Sequence, residues 1–248
     1  MHAPSLVACH SLSPMTVNTL AIDIGGTGLK ATVLDATGAL LCERVRIDTP
    51  IGSPPEAIVA LLAELVRDLP AYDRVAVGFP GMVRAGIVRT APNLGHASWS
   101  GFALAAALQQ ELGRPVRVAN DADVQGYAAI TGKGVEMVIT LGTGFGTALY
   151  DNGRLCPHLE ISQQPFRKGE TYDEQLGNAA RKHVGNEKWV RRVLLAIDNL
   201  RTLVHFDHLF IGGGNAKKLT VELPADVTRI DNVAGLAGGA GLWRDHGE

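Results

Sequence analysis

The chain has 248 residues, 46% of them hydrophobic, and a formal net charge of −2 at pH 7. This length and composition predict a globular protein with one large domain or two of roughly 100–150 residues each. The near-zero net charge does not indicate nucleic-acid binding, and no apolar run approaches the roughly 18–20 residues of a membrane span. The three cysteines are scattered and include no C-x-x-C pair, which favours a reducing cytoplasm and predicts no zinc site.

The first glycine-rich loop follows the first predicted strand. Residues 1–16 are expected to form a disordered leader, with Met15 as an alternative start, and the apolar run Val17–Ile24 predicts a buried strand. A Rossmann or P-loop fingerprint would open a helix after its glycines. Here a second strand, Leu29–Leu34, is predicted instead, followed by a turn and a third strand, Ala39–Ile47. The glycines therefore lie at the bend of an antiparallel hairpin.

A similar unit recurs in residues 137–155, with a second glycine-rich loop at Gly142–Gly146. The first glycine and the turn aspartate are ten positions apart in one copy, from Gly25 to Asp35, and nine in the other, from Gly142 to Asp151. Two such units in one chain indicate an internal duplication. Each half would then carry one phosphate-binding hairpin, and the two hairpins would face each other across a cleft.

The remaining predicted elements alternate between helix and strand, which indicates an α/β fold with mixed sheets. The predicted helices are Pro54–Leu69, Gly101–Leu112, Ala122–Thr131, Tyr172–His183, Lys188–Val204 and a last one near Val233–Trp243. The predicted strands between them are Arg74–Phe79, Val116–Ala119 and His208–Ile211.

Phosphate chemistry is the first functional interpretation of the glycine loop. Backbone amides can approach a phosphate closely where no Cβ intervenes. Asp23 cannot bind phosphate directly, because like charges repel, but it can hold Mg²⁺ or its waters. The alternative is a tight turn with a solvated aspartate, and the second loop argues against it. The candidate phosphate ligands are Gly25, Gly26, Thr27, Gly28 and Lys30 in the first hairpin and Gly142, Thr143 and Gly144 in the second.

Asn120 and Asp121 stand where a strand ends and a helix begins, near the middle of the chain. A plain N-cap is one interpretation of this pair. The other is a carboxylate placed at the junction of two halves, where it acts as a general base toward an alcohol. The position near the junction favours the second interpretation.

Two further features suit a polyanion. The strand that ends at Ile211 runs into three glycines, a site of close approach for the phosphates or ribose of a nucleotide. The segment 167–192 holds seven Lys and Arg residues against four acids. It is either a solvated helix face or a basic track, which Lys217 and Lys218 could extend.

These motifs together resemble the ROK family of bacterial glucokinases, in the sugar-kinase branch of the actin–hexokinase superfamily. The resemblance runs from about Thr19 to Trp243. The stretches 165–177 and 211–219 are most similar to polyphosphate glucokinases. The motifs that carry it are Asp23-Ile-Gly-Gly-Thr27, Gly78-Phe-Pro-Gly81, Ala91-Pro-Asn93-Leu, Asn120-Asp121-Ala, Leu141-Gly-Thr-Gly144 and Ile211-Gly-Gly-Gly214.

The resemblance implies two ribonuclease H-like domains with a cleft between them, at 17–118 and 119–232, with a C-terminal helix in 233–248 that packs back on the first domain. It implies transfer of a phosphoryl group from polyphosphate or ATP to glucose, with Mg²⁺, in a cytoplasmic homodimer that binds neither membrane nor nucleic acid. Asp121 would take the proton of the 6-hydroxyl. The sugar would meet Asn93, Asn120, Asp121, Glu160, Gln163 and Glu174, and the nucleotide or polyphosphate would meet Gly212, Gly213, Gly214, Asn215 and Lys217.

Two departures from the family pattern bear on function. The cysteine-rich zinc motif of many ROK proteins is absent, and Gln163 stands where the family has histidine. Glutamine still donates and accepts hydrogen bonds, but it cannot become cationic. A catalytically weak sugar-binding or regulatory protein, or a kinase of another hexose, are therefore the alternatives.

Overall fold

The computed structural model describes residues 17–92, 94–230 and 236–244, so the expected leader at 1–16 lies outside the described residues. The strands are β1 (Thr19–Ile24), β2 (Leu29–Leu34), β3 (Val45–Ile47), β4 (Arg74–Phe79), β5 (Val83–Arg84), β6 (Ile87–Val88), β7 (Val116–Asn120), β8 (Val135–Leu141), β9 (Phe145–Asp151), β10 (Arg154–Leu155), β11 (Pro165–Arg167), β12 (Glu170–Thr171), β13 (His208–Gly212) and β14 (Val227–Arg229). The α-helices are α1 (Pro55–Val66), α2 (Leu104–Leu112), α3 (Asp121–Gly126), α4 (Tyr172–Leu176), α5 (Asn178–Val184) and α6 (Asn186–Val204). Short 3-10 helices cover Ala97–Trp99, Ile161–Gln163, Ala216–Lys218 and Ala237–Trp243. Within the described ranges, no helix has the length and apolar character needed to cross a membrane.

Two five-stranded sheets share one topology. The first has the order β3-β2-β1-β4-β7 and the second has the order β10-β9-β8-β13-β14. In each sheet the first three strands are antiparallel and the last two join in parallel. The predicted α/β class with mixed sheets is confirmed, and the repeated topology agrees with the inferred duplication. Both glycine loops lie at hairpin bends, as the sequence predicts.

Each sheet has its own hydrophobic core. In the first half, buried residues of β1, β2 and β4 pack with α1 and α2 around Trp99. In the second half, α6 presents apolar residues three, four and seven positions apart, such as Val190, Val193 and Ile197, which is the spacing of one helix face. That face packs on β8 and β13, and Trp189 is fully buried.

Between the two sheets lies α3, together with the C-terminal 3-10 helix. The close packing depends on glycine. A Cβ at Gly78 on β4 would be 3.5 Å from Cα of Asp121, and a Cβ at Gly146 on β9 would be 3.1 Å from Cβ of Ala122. A Cβ at Gly238 would collide with the Val124 carbonyl. The first turn of α3 is therefore held against both sheets.

Two predicted boundaries in the first half were wrong. The third strand begins at Val45 rather than Ala39. Before it, Cys42 makes hydrogen bonds outside the strand pattern, because its carbonyl accepts from the Thr32 hydroxyl and its Sγ accepts from the Val33 amide. The second helix begins at Leu104 rather than Gly101. Gly101 has φ of +86°, outside the helical region, and its amide donates to the carbonyl of Val88.

Two boundaries in the second half also differ. The helix predicted over Ala122–Thr131 ends at Gly126, because Thr131 turns back so that its amide and hydroxyl donate to the buried carboxylate of Glu136. The helix predicted over Tyr172–His183 breaks at Gly177 into α4 and α5. At that point the chain passes so close to the Thr143 carbonyl that a Cβ would lie 2.7 Å from it.

The C-terminal segment was predicted as a helix from about Val233 to Trp243. The structure shows a 3-10 helix from Ala237, and residues 231–235 lie outside the described residues. This helix contacts β1 and β4, and the Arg117 side chain donates to the Leu242 carbonyl and lies 4.2 Å from the Trp243 ring. Five short strands, β5, β6, β11, β12 and β14, were not predicted, because runs of two or three residues carry no clear period.

The close packing of the C-terminal 3-10 helix against α3 predicts that stability is sensitive to substitution at Gly238. Gly238→Ala places a methyl group against the Val124 carbonyl, so we expect the free energy of unfolding to fall by about 1–3 kcal/mol or more. Ala237→Gly, one position earlier in the same helix, is the control and should change it by about 1 kcal/mol or less. Urea denaturation of the three proteins measures the difference. Equal stability of Gly238→Ala and wild type would contradict the close packing.

Candidate active site

The first glycine loop, Gly25–Gly28, is closed by its own backbone and held by neighbours. The Gly25 amide donates to the Gly28 carbonyl at 3.0 Å. The buried Thr49 hydroxyl donates to the Gly25 carbonyl, and Arg46 Nη2 donates to the Thr27 carbonyl at 3.1 Å. A Cβ at Gly28 would be 2.8 Å from Arg46 Nε. The loop is therefore fixed in shape and carries a guanidinium at its edge.

Charged side chains form a row across three strands beside this loop. Asp23 pairs with Lys30 in the β1–β2 ladder, and Lys30 pairs with Arg46 in the β2–β3 ladder, so all three side chains lie on one face of the sheet. Lys30 Nζ lies 2.8 Å from Asp23 Oδ2. Asp23 also pairs with Gly78, whose missing side chain leaves space for Asp121. The row places two cations and one carboxylate next to the predicted base.

The second glycine loop, Gly142–Gly144, is held by α4 and α5. The Asp173 carboxylate accepts from the Phe145 amide at 2.7 Å, and the Asn178 amide donates to the carbonyls of Gly142 and Thr143. Sequence reasoning missed Asp173 and Asn178, because both residue types are common at helix starts. Their contacts with the loop arise only because the predicted helix breaks at Gly177.

The third glycine segment, Gly212–Gly214, follows β13 and packs against the second glycine loop. Asn215 Nδ2 donates to the Gly142 carbonyl at 3.0 Å, and its amide donates to the Leu141 carbonyl. Gly213 has φ of +87° and lies so close to Leu141 that any Cβ would collide with its backbone. The structure thus brings Gly212, Gly213, Gly214 and Asn215 beside Gly142, Thr143 and Gly144, while Lys217 lies exposed in the 3-10 turn that follows.

Asp121 is the first residue of α3, between the two sheets. Burial raises the pKa of its carboxyl, the nearby Asp23 raises it further, and the value reaches about 6. The Ala122 amide donates to Asp121 Oδ1 at 2.8 Å and so opposes the shift. A carboxylate whose pKa lies near neutrality can accept a proton at pH 7 and release it again.

Asn120 is the N-cap of α3, so the plain capping interpretation applies to this residue. Its Oδ1 accepts from the Ala122 amide at 2.8 Å, and its Nδ2 donates to the Gly81 carbonyl at 3.1 Å. Both contacts fix the start of α3 and hence the position of Asp121.

Behind Asp121 lies a buried ionic cluster that the sequence analysis missed. His158 Nδ1 lies 3.0 Å from the carboxylate of Asp123, which is 2% exposed. His158 Nε2 lies 3.7 Å from Glu160 Oε2, an ion-pair distance that is too long for a hydrogen bond. The Ser162 hydroxyl also donates to the Glu160 carboxylate. No pattern in the sequence joins Asp123 to His158, which are 35 positions apart.

The cluster is charged at neutral pH. Burial alone lowers the pKa of His158, but its interactions with Asp123 and Glu160 outweigh burial and raise the pKa to about 10. In turn, His158 lowers the pKa of the Glu160 carboxyl. Burial raises the pKa of Asp123 and the hydrogen bond with His158 opposes it. His158 therefore acts as a fixed cation between two carboxylates, at one wall of a cavity of about 430 Å³ that Arg84, Val118 and Cys156 also line.

The remaining expected sugar ligands differ in how well the structure supports them. Asn93 lies outside the described residues. Gln163 is exposed, and its Nε2 donates to the Ser162 hydroxyl at 3.3 Å. The exposed Glu174 carboxylate accepts from the amide and hydroxyl of Thr171 in a capping box at the start of α4. This capping role accounts for Glu174 and does not support the sugar contact expected of it.

The fold and the site define a class of protein. Two sheets of equal strand order each begin with a hairpin that bends at a glycine loop, and the half-buried carboxylate of Asp121 lies between them. This is the architecture of the actin–hexokinase type. The chain belongs to the ROK family, whose sequence model matches residues 19–157.

Comparison with known proteins gives relatives that cover most of the chain. A polyphosphate glucokinase of Mycobacterium tuberculosis is 33% identical over 238 residues, which is 88% of each chain. The crystal structure of an inorganic polyphosphate/ATP-glucomannokinase from an Arthrobacter strain superposes with a TM-score of 0.79 at 31% identity, covering 90% of this chain and 97% of that one. A ROK family glucokinase from Streptomyces griseus, in complex with glucose and AMPPNP, superposes with a TM-score of 0.75 at 20% identity over 92% and 100% of the two chains, which shows a shared fold.

The ion pair of His158 predicts how stability depends on pH. The pKa of His158 is about 10 in the folded protein against 6.5 for the free side chain, so its contribution is complete below pH 6.5 and is lost as the pH rises toward 10. We expect the free energy of unfolding to fall by about 1–3 kcal/mol over this range. His158→Gln, which cannot be protonated, should lose that part of the slope.

Urea denaturation at pH 6, 8 and 10 measures this dependence. His208→Gln is the control, because His208 lies on β13 and contacts Thr228 instead of a carboxylate. It should keep the wild-type slope. An unchanged slope in His158→Gln would show that the imidazole is not charged in the folded protein.

Proposed function

We propose that this protein is a hexokinase-type phosphotransferase that forms glucose 6-phosphate from glucose, with polyphosphate or ATP as the donor. The observation that carries the proposal is Asp121, a half-buried carboxylate with a pKa of about 6 at the start of a helix between two glycine loops. Its relatives in the ROK family include a polyphosphate glucokinase and an inorganic polyphosphate/ATP-glucomannokinase. No other described group combines this burial, pKa and position.

In the proposed reaction Asp121 accepts the proton of the 6-hydroxyl group. The oxygen forms a bond to the terminal phosphorus of the donor, and the bond from that phosphorus to its bridging oxygen breaks. ADP, or a polyphosphate one unit shorter, is released. Phosphoryl transfer of this kind depends mainly on positioning and on neutralising charge, which amides and cations provide.

The two loops would bind the donor. The Gly25 and Gly142 amides are bonded within their loops, so the remaining loop amides would face the phosphates, with Lys30 and Arg46 at the edge of the first loop. Asp23 would hold Mg²⁺ through water, because this ion takes one or two carboxylates together with water and phosphate oxygens. When bound, the ion neutralises charge on the donor phosphates.

The sugar would lie beside Asp121 and Glu160. Because His158 and Ser162 keep the Glu160 carboxylate ionised and oriented, it can accept hydrogen bonds from sugar hydroxyls. The Asn120 amide is close enough to Asp121 to contribute one further donor. A site that pairs with each hydroxyl discriminates against sugars that lack one, because a buried polar group would then remain unpaired.

A weak sugar-binding or regulatory protein is the second candidate. The observation in its favour is Gln163, which is exposed and stands at the position of the family histidine. A kinase of another hexose is a variant of the first candidate, and the glucomannokinase relative favours mannose for it.

Removal of the base tests the proposal. Asp121→Asn should lower kcat by about 10²–10⁴ while glucose affinity, measured by calorimetry, stays near the wild-type value. Asp68→Asn, in the exposed turn that follows α1, is the matched control and should keep full turnover. Full activity of Asp121→Asn would exclude its role as base. Glucose binding without turnover in wild type, with either donor, would favour the sugar-binding protein.

The pKa of Asp121 also predicts a pH profile. The base works only when ionised, so we expect kcat/KM for glucose to fall about tenfold for each pH unit below 6 and to level off above pH 7. Saturating donor separates protonation of the enzyme from that of the donor phosphates. A flat profile between pH 5 and pH 8 would show that no group with this pKa limits the reaction.

A further inference from the structure

A second cavity, of about 570 Å³, lies where the β11–β12 hairpin meets α5 and α6. We name it the basic cavity. None of the described residues that line it is acidic, although the whole chain has a net charge of −2. Its lining residues are Arg167, Lys168, His183, Val184, Lys188, Arg191, Arg192 and Leu195.

Two arginines of the basic cavity are held together by one neutral residue. Gln175 is 4% exposed; its Oε1 accepts from Arg167 Nη1 at 3.3 Å and its carbonyl accepts from Arg192 Nη1 at 3.3 Å. A neutral acceptor orients a guanidinium without cancelling its charge. Burial lowers the pKa of Arg192 and the positive charge of Arg167 lowers it further, which reflects two cations held close together.

Nearby acids do not balance this charge. Glu187 pairs with Arg191 at 2.6 Å on the exposed face of α6, and Glu170 acts on Arg192 from the hairpin. Five lysines and arginines therefore face two carboxylates, neither of which lines the cavity. Like charges at this density repel one another, and a bound polyanion would relieve the repulsion.

The basic cavity is connected to the second glycine loop by one short helix. α5 begins at Asn178, whose amide donates to the carbonyls of Gly142 and Thr143. It ends six residues later, and His183 and Val184 in its last turn line the cavity. At 1.5 Å per residue the two sites are about 10 Å apart along the helix. A linear anion with one end at the loop can thus extend toward the cavity.

We propose that the basic cavity binds the distal phosphates of an inorganic polyphosphate chain whose terminal phosphate lies at the glycine loops. The inference rests on the proposed function and adds a second site for the same donor. Polyphosphate carries charge along its whole length and has no bases. The cavity matches this chemistry, because its described lining holds five lysines and arginines but no Phe, Tyr or Trp on which a nucleobase could stack. ATP ends at its γ-phosphate and would not need the cavity.

Charge neutralisation tests the inference. The cavity variant carries Lys168→Gln and Lys188→Gln together, which removes two cations from the cavity. The control pair carries Lys133→Gln and Arg154→Gln, which removes two exposed cations from the end of the β8–β9 hairpin opposite the glycine loop. Calorimetry measures binding of long-chain polyphosphate and of tripolyphosphate to each protein. We expect the cavity variant to bind the long chain about tenfold more weakly or worse and to bind tripolyphosphate as wild type does.

Steady-state kinetics adds a second readout. The cavity variant should show a raised KM for long-chain polyphosphate with an unchanged KM for ATP, while the control pair should match wild type in both. Equal affinity of the two double variants for the long chain would overturn the inference, as would a wild type that binds no polyphosphate. In both cases glucose phosphorylation from ATP would leave the proposed function intact.

A nucleic acid is the competing ligand. Single-stranded oligothymidylate serves as the probe in the same calorimetric experiment. If it binds wild type more tightly than polyphosphate of equal charge and loses affinity in the cavity variant, the surface is a nucleic-acid site and the inference is wrong. Binding of polyphosphate in preference to oligothymidylate, lost in the cavity variant alone, supports it.

Discussion

The contact of α3 with both sheets is the constraint on which the rest of the molecule depends. This helix has six residues and could not form alone, because a single turn does not repay its nucleation. It is stable because strand and helix backbones contact it closely on several sides, at Gly78, Gly146 and Gly238, which have no Cβ. Since Asp121 begins α3, the packing that holds the halves together also sets the position of the proposed base.

The same packing determines how the carboxylates of Asp121 and Asp123 ionise. Burial of Asp121 at the start of α3 raises the pKa of its carboxyl, and the negative charge of the nearby Asp23 raises it further. Two residues further along α3, Asp123 meets a different partner, the cation of His158. Neighbouring carboxylates on one short helix therefore have different tasks: one can exchange a proton, and the other anchors the imidazolium that orients Glu160.

The glycine loops are held mainly by backbone and neutral groups. Thr49 fixes the first loop, and Asn215 and the Asn178 amide fix the second. Such contacts orient loop amides without neutralising the positive field that a phosphate requires. The basic cavity uses the same principle, with buried Gln175 orienting two guanidinium groups.

Local patterns in the sequence predicted much of the fold. Leu29–Leu34 and Arg74–Phe79 were predicted with their observed bounds, because buried strands give continuous apolar runs. Errors arose where a contact made outside an element ended it. Gly126 ends α3 early, and Gly177 divides a predicted helix in two because the chain there passes the second glycine loop.

The sequence by itself determined the α/β class, the two glycine hairpins and the candidate base Asp121, because strand periodicity, turn residues and loop composition are local properties. Tertiary structure alone decided the raised pKa of Asp121, the pairing of His158 with Asp123, and the gathering of basic side chains around one cavity. Each of these depends on distances between residues far apart in the chain, and burial and Coulomb interactions are set by such distances.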